Sequence, residues 1–273
     1  MRRIILIIIL AGSCTFPVVN GQTALPETSL TLEKLFSRLM ITTEDSSRII
    51  INDSIKFIID GYTVSDSVLT HTFTGLKYLG QVTSRNSQLK IITWNLLLKE
   101  SKSRYYCYFI NRSGKKNVVY KLLATYAGEP IRTDTVYSEK NWYGALYYDL
   151  RAVRKDDQTY WVLLGINYGN PSVTRKIIDI LRFTNGGMII FGNNLFAAGK
   201  ERKYREVLEY SSGAVASLKF LSDKSIVFDH LVPVSPDLKG RKEYYGPDFS
   251  YDAYDLEKGI WKFKADIDAR NKK

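Results

Sequence analysis

Cysteine and histidine are scarce in this sequence, and their scarcity limits the chemistry open to the chain. Its 273 residues include two cysteines, Cys14 and Cys107, and two histidines, His71 and His230. Two histidines argue against histidine-based catalysis and against a zinc site with several histidine ligands. Cys14 lies in a segment that we expect to be removed, so Cys107 has no partner for an intrachain disulfide. Its aromatic neighbours predict a small buried hydrophobic residue rather than a reactive thiol.

The motifs of easily recognised enzyme classes are absent from the sequence. It contains no Gly-x-Ser-x-Gly elbow, no phosphate-binding glycine loop, no His-Glu-x-x-His and no Cys-x-x-Cys. We therefore assign no catalytic residue, no metal site and no cofactor from the sequence. The apolar run Ile4–Ala11 is well short of the ~18–20 residues that a membrane-spanning helix needs, so we expect no transmembrane span.

That apolar run belongs to a predicted secretory signal peptide over residues 1–21. Arg2 and Arg3 precede it, and Val19-Asn20-Gly21 supplies small residues at a cleavage site ahead of Gln22. We expect the mature chain to begin at Gln22 and to work outside the cytoplasm, in the periplasm or at the cell surface.

A second interpretation of the same segment is a lipoprotein signal. Ala11-Gly12-Ser13-Cys14 is similar to a lipobox, in which Cys14 is lipidated and becomes the first residue of an anchored protein. Lipoboxes prefer Leu at the position that Ala11 occupies. A soluble exported protein is therefore favoured over a lipid anchor at Cys14.

Positive charge exceeds negative charge along the chain. Lys and Arg number 39 and Asp and Glu 28, so the net charge is +11, or +9 (11 − 2) once Arg2 and Arg3 leave with the signal peptide. The cations cluster in segments that we predict to be turns, where lysines keep strands from pairing with other chains. The alternative is a basic face for anions such as acidic polysaccharide. Export argues against nucleic acid as a partner.

The N-terminal segment 22–75 has the 3.6-residue period of helices. Thr31 is the predicted cap of a first helix and Thr43 that of a second, which Gly61 is expected to end. Each helix carries one apolar stripe: Leu32, Leu35, Phe36 and Leu39 in the first, and Ile51, Ile55, Ile58 and Ile59 in the second. We expect both helices to pack on the sheet that follows.

From Leu76 onward the period changes to two, and residues 76–273 are predicted to form an antiparallel β domain. The predicted strands are Leu76–Thr83, Gln88–Leu98, Arg104–Asn111, Asn117–Ala124, Trp142–Val153, Thr159–Tyr168, Val173–Phe183, Met188–Phe191, Arg205–Ser211, Ala216–Leu221, Ser225–Leu231 and Gly259–Ala265. Short loops between strands require antiparallel pairing. Open sheets of more than ~10 strands curl or split into two layers.

The predicted fold class is therefore mainly β: an antiparallel meander folded as a sandwich or a strongly curved sheet, with two N-terminal helices. A propeller is the alternative, because the strands fall into three groups of about four, as propeller blades do. Two long connections, Tyr126–Asn141 and Leu231–Gly259, interrupt the meander. Long connections are where binding sites tend to lie.

A series of short motifs marks the second half of the chain. In order, they are Trp142–Tyr148, Leu163–Gly165, Lys176–Leu181, Phe191-Gly192, Glu209–Ser211, Ile226–Leu231 and Tyr244–Tyr254. The series resembles a family of exported, uncharacterised proteins of Bacteroidota, over the stretch from Trp142 to Asn271. The resemblance implies export, and it carries over no activity, cofactor or site residue.

The second long connection combines acidic and aromatic residues. The candidate ligand-binding residues are Asp229, His230, Tyr245, Asp248, Tyr251 and Asp252. Such residues suit a sugar, because carboxylates accept hydrogen bonds from hydroxyls and rings stack on the apolar face of a pyranose. Two carboxylates could also act as acid and base on a glycosidic bond, or several could hold Ca²⁺. The structural alternative is that the tyrosines pack on the sheet while the aspartates bond to turn backbone.

The sequence favours an exported β-sheet protein without catalytic activity, serving in binding or envelope-associated assembly, with an envelope protein or a glycan as partner. The alternative is a carbohydrate-active enzyme that uses Asp229, Asp248 and Asp252. These acids lining one concavity within ~10 Å of each other would favour the enzyme. Acids that are spread out and bonded to backbone would favour the binding protein. A third interpretation is an envelope protein that docks anionic glycans through its basic turns.

Overall fold

The computed structural model describes residues 24–99, 103–126, 128–155, 158–168 and 170–268. The predicted signal peptide over residues 1–21 and the alternative lipid anchor at Cys14 lie outside these ranges. Strands account for 48% and helices for 18% of the structure, which confirms the mainly β class. Within these ranges no helix is both long enough and apolar enough to cross a membrane.

The first helix, α1, is Ala24–Ile41 and begins well before Thr31. Thr31 is therefore not its cap. The hydroxyl of Thr31 donates to the carbonyl of Glu27 one turn earlier (2.9 Å), as a threonine inside a helix often does. The predicted apolar stripe is correct, since Leu32, Phe36 and Leu39 are buried.

The second helix, α2, is Asp45–Thr63, and both of its predicted ends are wrong by one or two residues. Its N-cap is Glu44 rather than Thr43, and no side chain makes a capping hydrogen bond there. Gly61 lies inside the helix, which continues through the buried residues Tyr62 and Thr63. Packing of these two side chains outweighs the ~1 kcal/mol by which glycine disfavours a helix interior.

Sixteen strands follow within the described ranges: β1 (Gly80–Thr83), β2 (Leu89–Leu97), β3 (Ser103–Ser113), β4 (Lys116–Tyr126), β5 (Tyr137–Ser138), β6 (Leu146–Lys155), β7 (Gln158–Asn167), β8 (Val173–Phe183), β9 (Ile189–Phe191), β10 (Phe196–Ala198), β11 (Glu201–Lys203), β12 (Glu206–Ser211), β13 (Leu218–Ser222), β14 (Ser225–Pro233), β15 (Tyr245–Glu257) and β16 (Ile260–Lys264). Two short 3₁₀ turns, Pro236–Leu238 and Lys242–Tyr244, lie between β14 and β15. Most predicted strands are present with ends that shift by a few residues.

The strands form three sheets. The first has the order β1-β2-β3-β4, and the second has the order β5-β9-β8-β7-β6 with β12 paired to β8. The third has the order β11-β10-β16-β15-β14-β13. The hairpins are antiparallel as predicted, whereas β10 and β16 run parallel. A parallel pair is possible there because more than sixty residues of chain connect the two strands.

The helices and the three sheets stack as layers, with a hydrophobic cluster between each neighbouring pair. The helices cover Trp94 on the outer face of the first sheet. Phe109 of the first sheet meets Phe191 of the second, with ring centroids 5.5 Å apart. Ile178 of the second sheet packs in one cluster with Trp261 of the third. The sheets therefore form a sandwich of stacked faces and not the radial blades of a propeller.

The stretch 231–259, predicted as a long connection, is mostly strand. β14 continues to Pro233, and β15 extends over Tyr245–Glu257. The turn signal Gly246-Pro247-Asp248 lies at an irregularity inside β15, and an irregularity of this kind is where a strand tolerates proline. Pairing with β14 explains the difference, because it satisfies backbone groups that a loop would leave to water.

Cys107 lies in the core between the first two sheets and is completely buried. Burial raises the pKa of its thiol well above the usual value. A buried thiol with a raised pKa is a poor nucleophile, so the prediction of a buried hydrophobic residue is confirmed.

Candidate functional site

A cleft of about 260 Å³ opens between β12 of the second sheet and the β14–β15 hairpin of the third sheet. Its apolar lining includes Phe228, Tyr254 and Phe263, of which Phe263 is 37% exposed and the other two are buried. Its polar part combines acids and bases from four strands and one 3₁₀ turn: Lys203, Glu206, Glu209, Asp229, His230, Lys242 and Asp252. We call this feature the His230 cleft.

The register of β14 against β15 brings His230 and Asp252 together. Phe228 lies directly opposite Asp252, and Ile226 lies opposite Tyr254. Directly opposed residues of an antiparallel pair share a face of the sheet, and alternation places His230 on that face as well. The alternation of residues along β14 and β15 therefore places this polar pair at the end of the face that carries Ile226, Phe228 and Tyr254.

The His230–Asp252 pair is the best-defined polar contact of the cleft. Nδ1 of His230 lies 2.8 Å from Oδ2 of Asp252, whose side chain is only 7% exposed while that of His230 is 41% exposed. The other oxygen of Asp252 accepts the backbone N–H of Asp266 (3.3 Å). Nε2 of His230 makes no hydrogen bond to any described residue, so it is available to a ligand.

Electrostatics around His230 favour its protonated form. The hydrogen bond that His230 donates to Asp252 raises the pKa of His230, partial burial opposes this, and the charges of Asp252, Asp248 and Asp266 raise it further. A carboxylate that is hydrogen-bonded to a histidine also fixes the orientation of the ring. The pair thus presents an oriented hydrogen-bond donor at Nε2 when the ring is charged.

Glu206 supplies a second polar centre in the same cleft. Its carboxylate accepts a hydrogen bond from the hydroxyl of Tyr254 (2.6 Å) and pairs with the ammonium of Lys203 (3.1 Å). Burial, reinforced by the charge of Glu206, raises the pKa of Tyr254, which keeps the phenol protonated and donating. The side chain of Glu206 is 12% exposed, so it reaches the cleft without being fully solvated.

Three of the four carboxylates that line the cleft are compensated by cations of the protein. Glu206 pairs with Lys203, Asp252 pairs with His230, and Glu209 pairs with Arg175 (2.8 Å). The ammonium of Lys242 lies 4.4 Å from the ring centre of Tyr245, within the range of a cation–π interaction. Although the chain is strongly basic, the cleft is therefore not a cationic patch for anions.

Four of the six sequence-predicted residues line the cleft: Asp229, His230, Tyr245 and Asp252. Asp248 and Tyr251 do not. Asp248 bonds to its own turn, accepting the N–H (3.1 Å) and the hydroxyl (2.8 Å) of Ser250. Tyr251 lies opposite Asp229 in the β14–β15 register, on the face away from Phe228 and Asp252.

The carboxylate of Asp229 also bonds to the backbone, because it accepts a hydrogen bond from the N–H of Ser217 (2.7 Å). Asp229 and Asp248 thus follow the structural alternative set out for the aspartates, and Asp252 alone of the three predicted acids faces the cleft with a side-chain partner. The remaining polar lining, Lys203, Glu206, Glu209 and Lys242, was not among the residues predicted from the sequence. These residues reach the cleft because β11 pairs with β10, β12 pairs with β8 and a 3₁₀ turn precedes β15.

Metal binding has no support in the described part of the chain. No group of three or more His, Cys, Asp or Glu side chains within it is arranged to hold a metal ion. The carboxylates that the sequence suggested for Ca²⁺ have different partners and do not converge on one point. They contact Ser217, Ser250 and His230 respectively.

Comparisons with known proteins found no match among family models, curated proteins or solved structures.

Proposed function

We propose that the chain is an exported, non-catalytic binding protein that holds a neutral carbohydrate in the His230 cleft. One observation carries this proposal: two polar centres, His230–Asp252 and Lys203–Glu206, line one open cleft together with the partly exposed ring of Phe263. Hydroxyl groups of a sugar require donors and acceptors at several points, whereas its C–H face requires an apolar surface. The cleft supplies both.

The size and charge of the cleft narrow the ligand class. A volume of about 260 Å³ lies just below the ~300–1,000 Å³ of typical small-molecule sites, which suits one terminal sugar residue. Because Lys203, Glu206, His230 and Asp252 are already paired with one another, an ionic ligand at either polar centre would compete with an existing pair. A neutral polyhydroxyl ligand instead uses the remaining hydrogen-bond capacity of each pair.

The separate hydrogen-bond partners of the predicted acidic residues support a binding role over a catalytic one. Glycosidases of the usual kind need two carboxyl groups about 5–10 Å apart that both face the substrate. Asp229 and Asp248 instead accept hydrogen bonds from backbone N–H groups. Their hydrogen bonds stabilise loops and turns, as aspartates commonly do.

Export is supported by the predicted signal peptide over residues 1–21 and by the resemblance to exported proteins of Bacteroidota. The full chain, expressed in a bacterial host, is expected in the periplasm with Gln22 as its first residue, by N-terminal sequencing and intact mass. A mass that includes a lipidated Cys14 would replace the soluble form with the anchored one. Intact protein with Met1 retained in the cytoplasm would contradict export altogether.

The binding proposal is tested with an array of neutral and acidic glycans, followed by calorimetry on the neutral glycans that are retained. We expect Asp252→Ala to weaken binding at least tenfold, because it removes the group that orients His230. Asp248→Ala is the matched control, because the hydrogen bonds of Asp248 stay within its own turn, and the affinity of this variant should fall far less than that of Asp252→Ala. Retention of acidic glycans alone, with affinity that collapses on adding salt, would favour the basic turns instead.

A carbohydrate-active enzyme is the second candidate, and one observation favours it: the carboxylates of Glu206 and Asp252 line the same cleft. Hydrolysis of nitrophenyl glycosides distinguishes the two functions. The binding proposal predicts no turnover above buffer. The enzymatic function predicts turnover, and it predicts that Glu206→Gln and Asp252→Asn each reduce this turnover by several orders of magnitude. Asp248→Asn should leave the turnover unchanged.

A further inference from the structure

A second cavity, of about 440 Å³, lies between α1, β2 and the connection from β7 to β8. None of the residues lining it also lines the His230 cleft. Most of its surface is apolar and comes from Phe36, Leu39, Met40, Tyr78, Leu97 and Tyr168. Its volume falls within the ~300–1,000 Å³ of small-molecule sites.

Apolar side chains at this cavity are unusually exposed. Met40 is 50%, Tyr78 48%, Leu97 47% and Tyr168 48% exposed, although each is large and apolar or aromatic. The four come from different elements and meet at one cavity. Single exposed apolar residues need no explanation, but a contiguous group around a concave surface indicates a binding site.

Arg48 gives the cavity its charge. Among the described residues that line it, Arg48 is the only one with a charged side chain. Its Nε donates to the carbonyl of Leu97 (2.8 Å), and its Nη1 donates to those of Leu39 (2.8 Å) and Thr42 (2.7 Å). Its Nη2 makes no hydrogen bond to any described residue, so two N–H donors remain for a ligand.

Neutral polar groups complete the lining. Asn95, Asn170, Thr174 and Ser212 contribute amide and hydroxyl groups, and no carboxylate is present among the described lining residues. An apolar cavity with one guanidinium and no acid is complementary to a molecule with an apolar body and an anionic head. A cationic head would meet Arg48 with no compensating charge.

We infer that this cavity binds a fatty acid, with the acyl chain against the apolar lining and the carboxylate at Nη2 of Arg48. This inference is independent of the proposed carbohydrate site. A bound fatty acid would contact α1, β2 and the β7–β8 connection together, so it would stabilise the junction of the helices with the first two sheets. Ligand binding to the folded form raises the unfolding temperature by mass action.

The test uses the full chain with two monomeric probes of equal chain length, dodecanoate and dodecyltrimethylammonium. We expect dodecanoate to bind at least tenfold more tightly by calorimetry and to raise the unfolding temperature, which the ammonium should leave unchanged. Equal affinity for the two head groups, or no binding of dodecanoate below its micellar concentration, would overturn the inference.

Leu97→Asp tests the position of the head group without removing Arg48, which is needed to hold α1 against α2. The new carboxylate would lie at the cavity beside Arg48. We therefore expect the affinity for dodecanoate to fall at least tenfold and the affinity for dodecyltrimethylammonium to rise. Leu123→Asp is the matched control, because Leu123 is similarly exposed (56%) on β4 and does not line the cavity. If Leu97→Asp leaves the affinity for dodecanoate unchanged while its unfolding temperature without ligand matches that of Leu123→Asp, the inference is wrong.

Discussion

The two histidines of the chain have opposite environments. The hydrogen bond to Asp252 raises the pKa of His230. Partial burial and the nearby charge of Lys90 lower the pKa of His71, whose Nδ1 lies 3.3 Å from the hydroxyl of Tyr62. Each histidine therefore serves as an internal reference for the other in a titration.

Replacement of Asp252 by Asn should lower the pKa of His230 and leave that of His71 unchanged, as NMR titration of the imidazole C–H signals would show. The free energy of unfolding follows the same linkage. Because the folded-state pKa of His230 is raised above its ordinary 6.5, the pairing stabilises the fold fully below that value, and the stabilisation is lost as pH rises through the folded-state pKa. The variant should therefore lose more stability in urea at about pH 5.5 than at about pH 8.5.

The control for this titration is Asp248→Asn. Asp248 acts on His230 only through its charge and without a hydrogen bond, so its removal should shift the His230 titration less than removal of Asp252 does. A titration of His230 that is identical in Asp252→Asn and in the unmodified chain would show that the 2.8 Å contact does not exist in solution.

At the scale of the elements, the β14–β15 hairpin shows how a turn signal becomes part of a strand. Leu231 pairs with Pro247 and Asp229 pairs with Tyr251, so three residues of β15 bulge between these pairs. Phe249 in the bulge has φ = +69° and a side chain that is 94% exposed. A positive φ costs a residue with a Cβ about 1–2 kcal/mol, and Phe249 recovers little of this through packing.

Phe249→Gly is expected to stabilise the protein by roughly 0.5–1 kcal/mol, because glycine adopts positive φ without strain and loses only part of that gain to the entropy of the unfolded chain. The measurement is the free energy of unfolding in urea. Phe57→Gly is the matched control: Phe57 is 80% exposed in the interior of α2, and there the same substitution should destabilise by roughly 0.5 kcal/mol. Equal effects of the same sign would contradict the assigned backbone conformation of Phe249.

At the scale of the whole molecule, a buried ion pair connects the central sheet to its surroundings. Arg205 and Asp179 are both fully buried, with Nε of Arg205 2.9 Å from Oδ2 of Asp179. Arg205 also donates to the carbonyls of Arg132, of Thr135 (2.8 Å) and of Phe191 (3.2 Å). Arg205 thus links residues 132 and 135, in the connection between β4 and β6, to β8 and β9.

Arg205→Met should destabilise the protein by about 3–5 kcal/mol, because it leaves the carboxylate of Asp179 buried without its cation. The double variant Arg205→Met with Asp179→Asn should recover part of this loss, since it removes the uncompensated charge. Arg241→Met serves as the exposed control and should cost less than ~1 kcal/mol. Urea denaturation measures all three, and a double variant that is less stable than Arg205→Met alone would contradict the electrostatic explanation.

The sequence predicted some elements closely and others poorly, and the difference has a physical cause. The bounds of β8 are correct because the segment is rich in β-branched and other apolar residues and turn residues limit it at each end. The ends of α2 and the whole of β15 were wrong because their limits depend on packing and pairing with distant residues. The same cause applies to the cleft, where His230 and Asp252 were named but Glu206 and Lys203 were not.

By itself, the sequence determined the mainly β class, the two helices with their apolar stripes and the burial of Cys107, since the spacing of apolar residues follows from backbone geometry. Only the tertiary structure decided which distant strands pair, that the sheets stack as three layers, and that residues from β11, β12, β14 and β15 share one cleft. These features depend on contacts between residues far apart in the chain, and no local pattern encodes the register of such contacts.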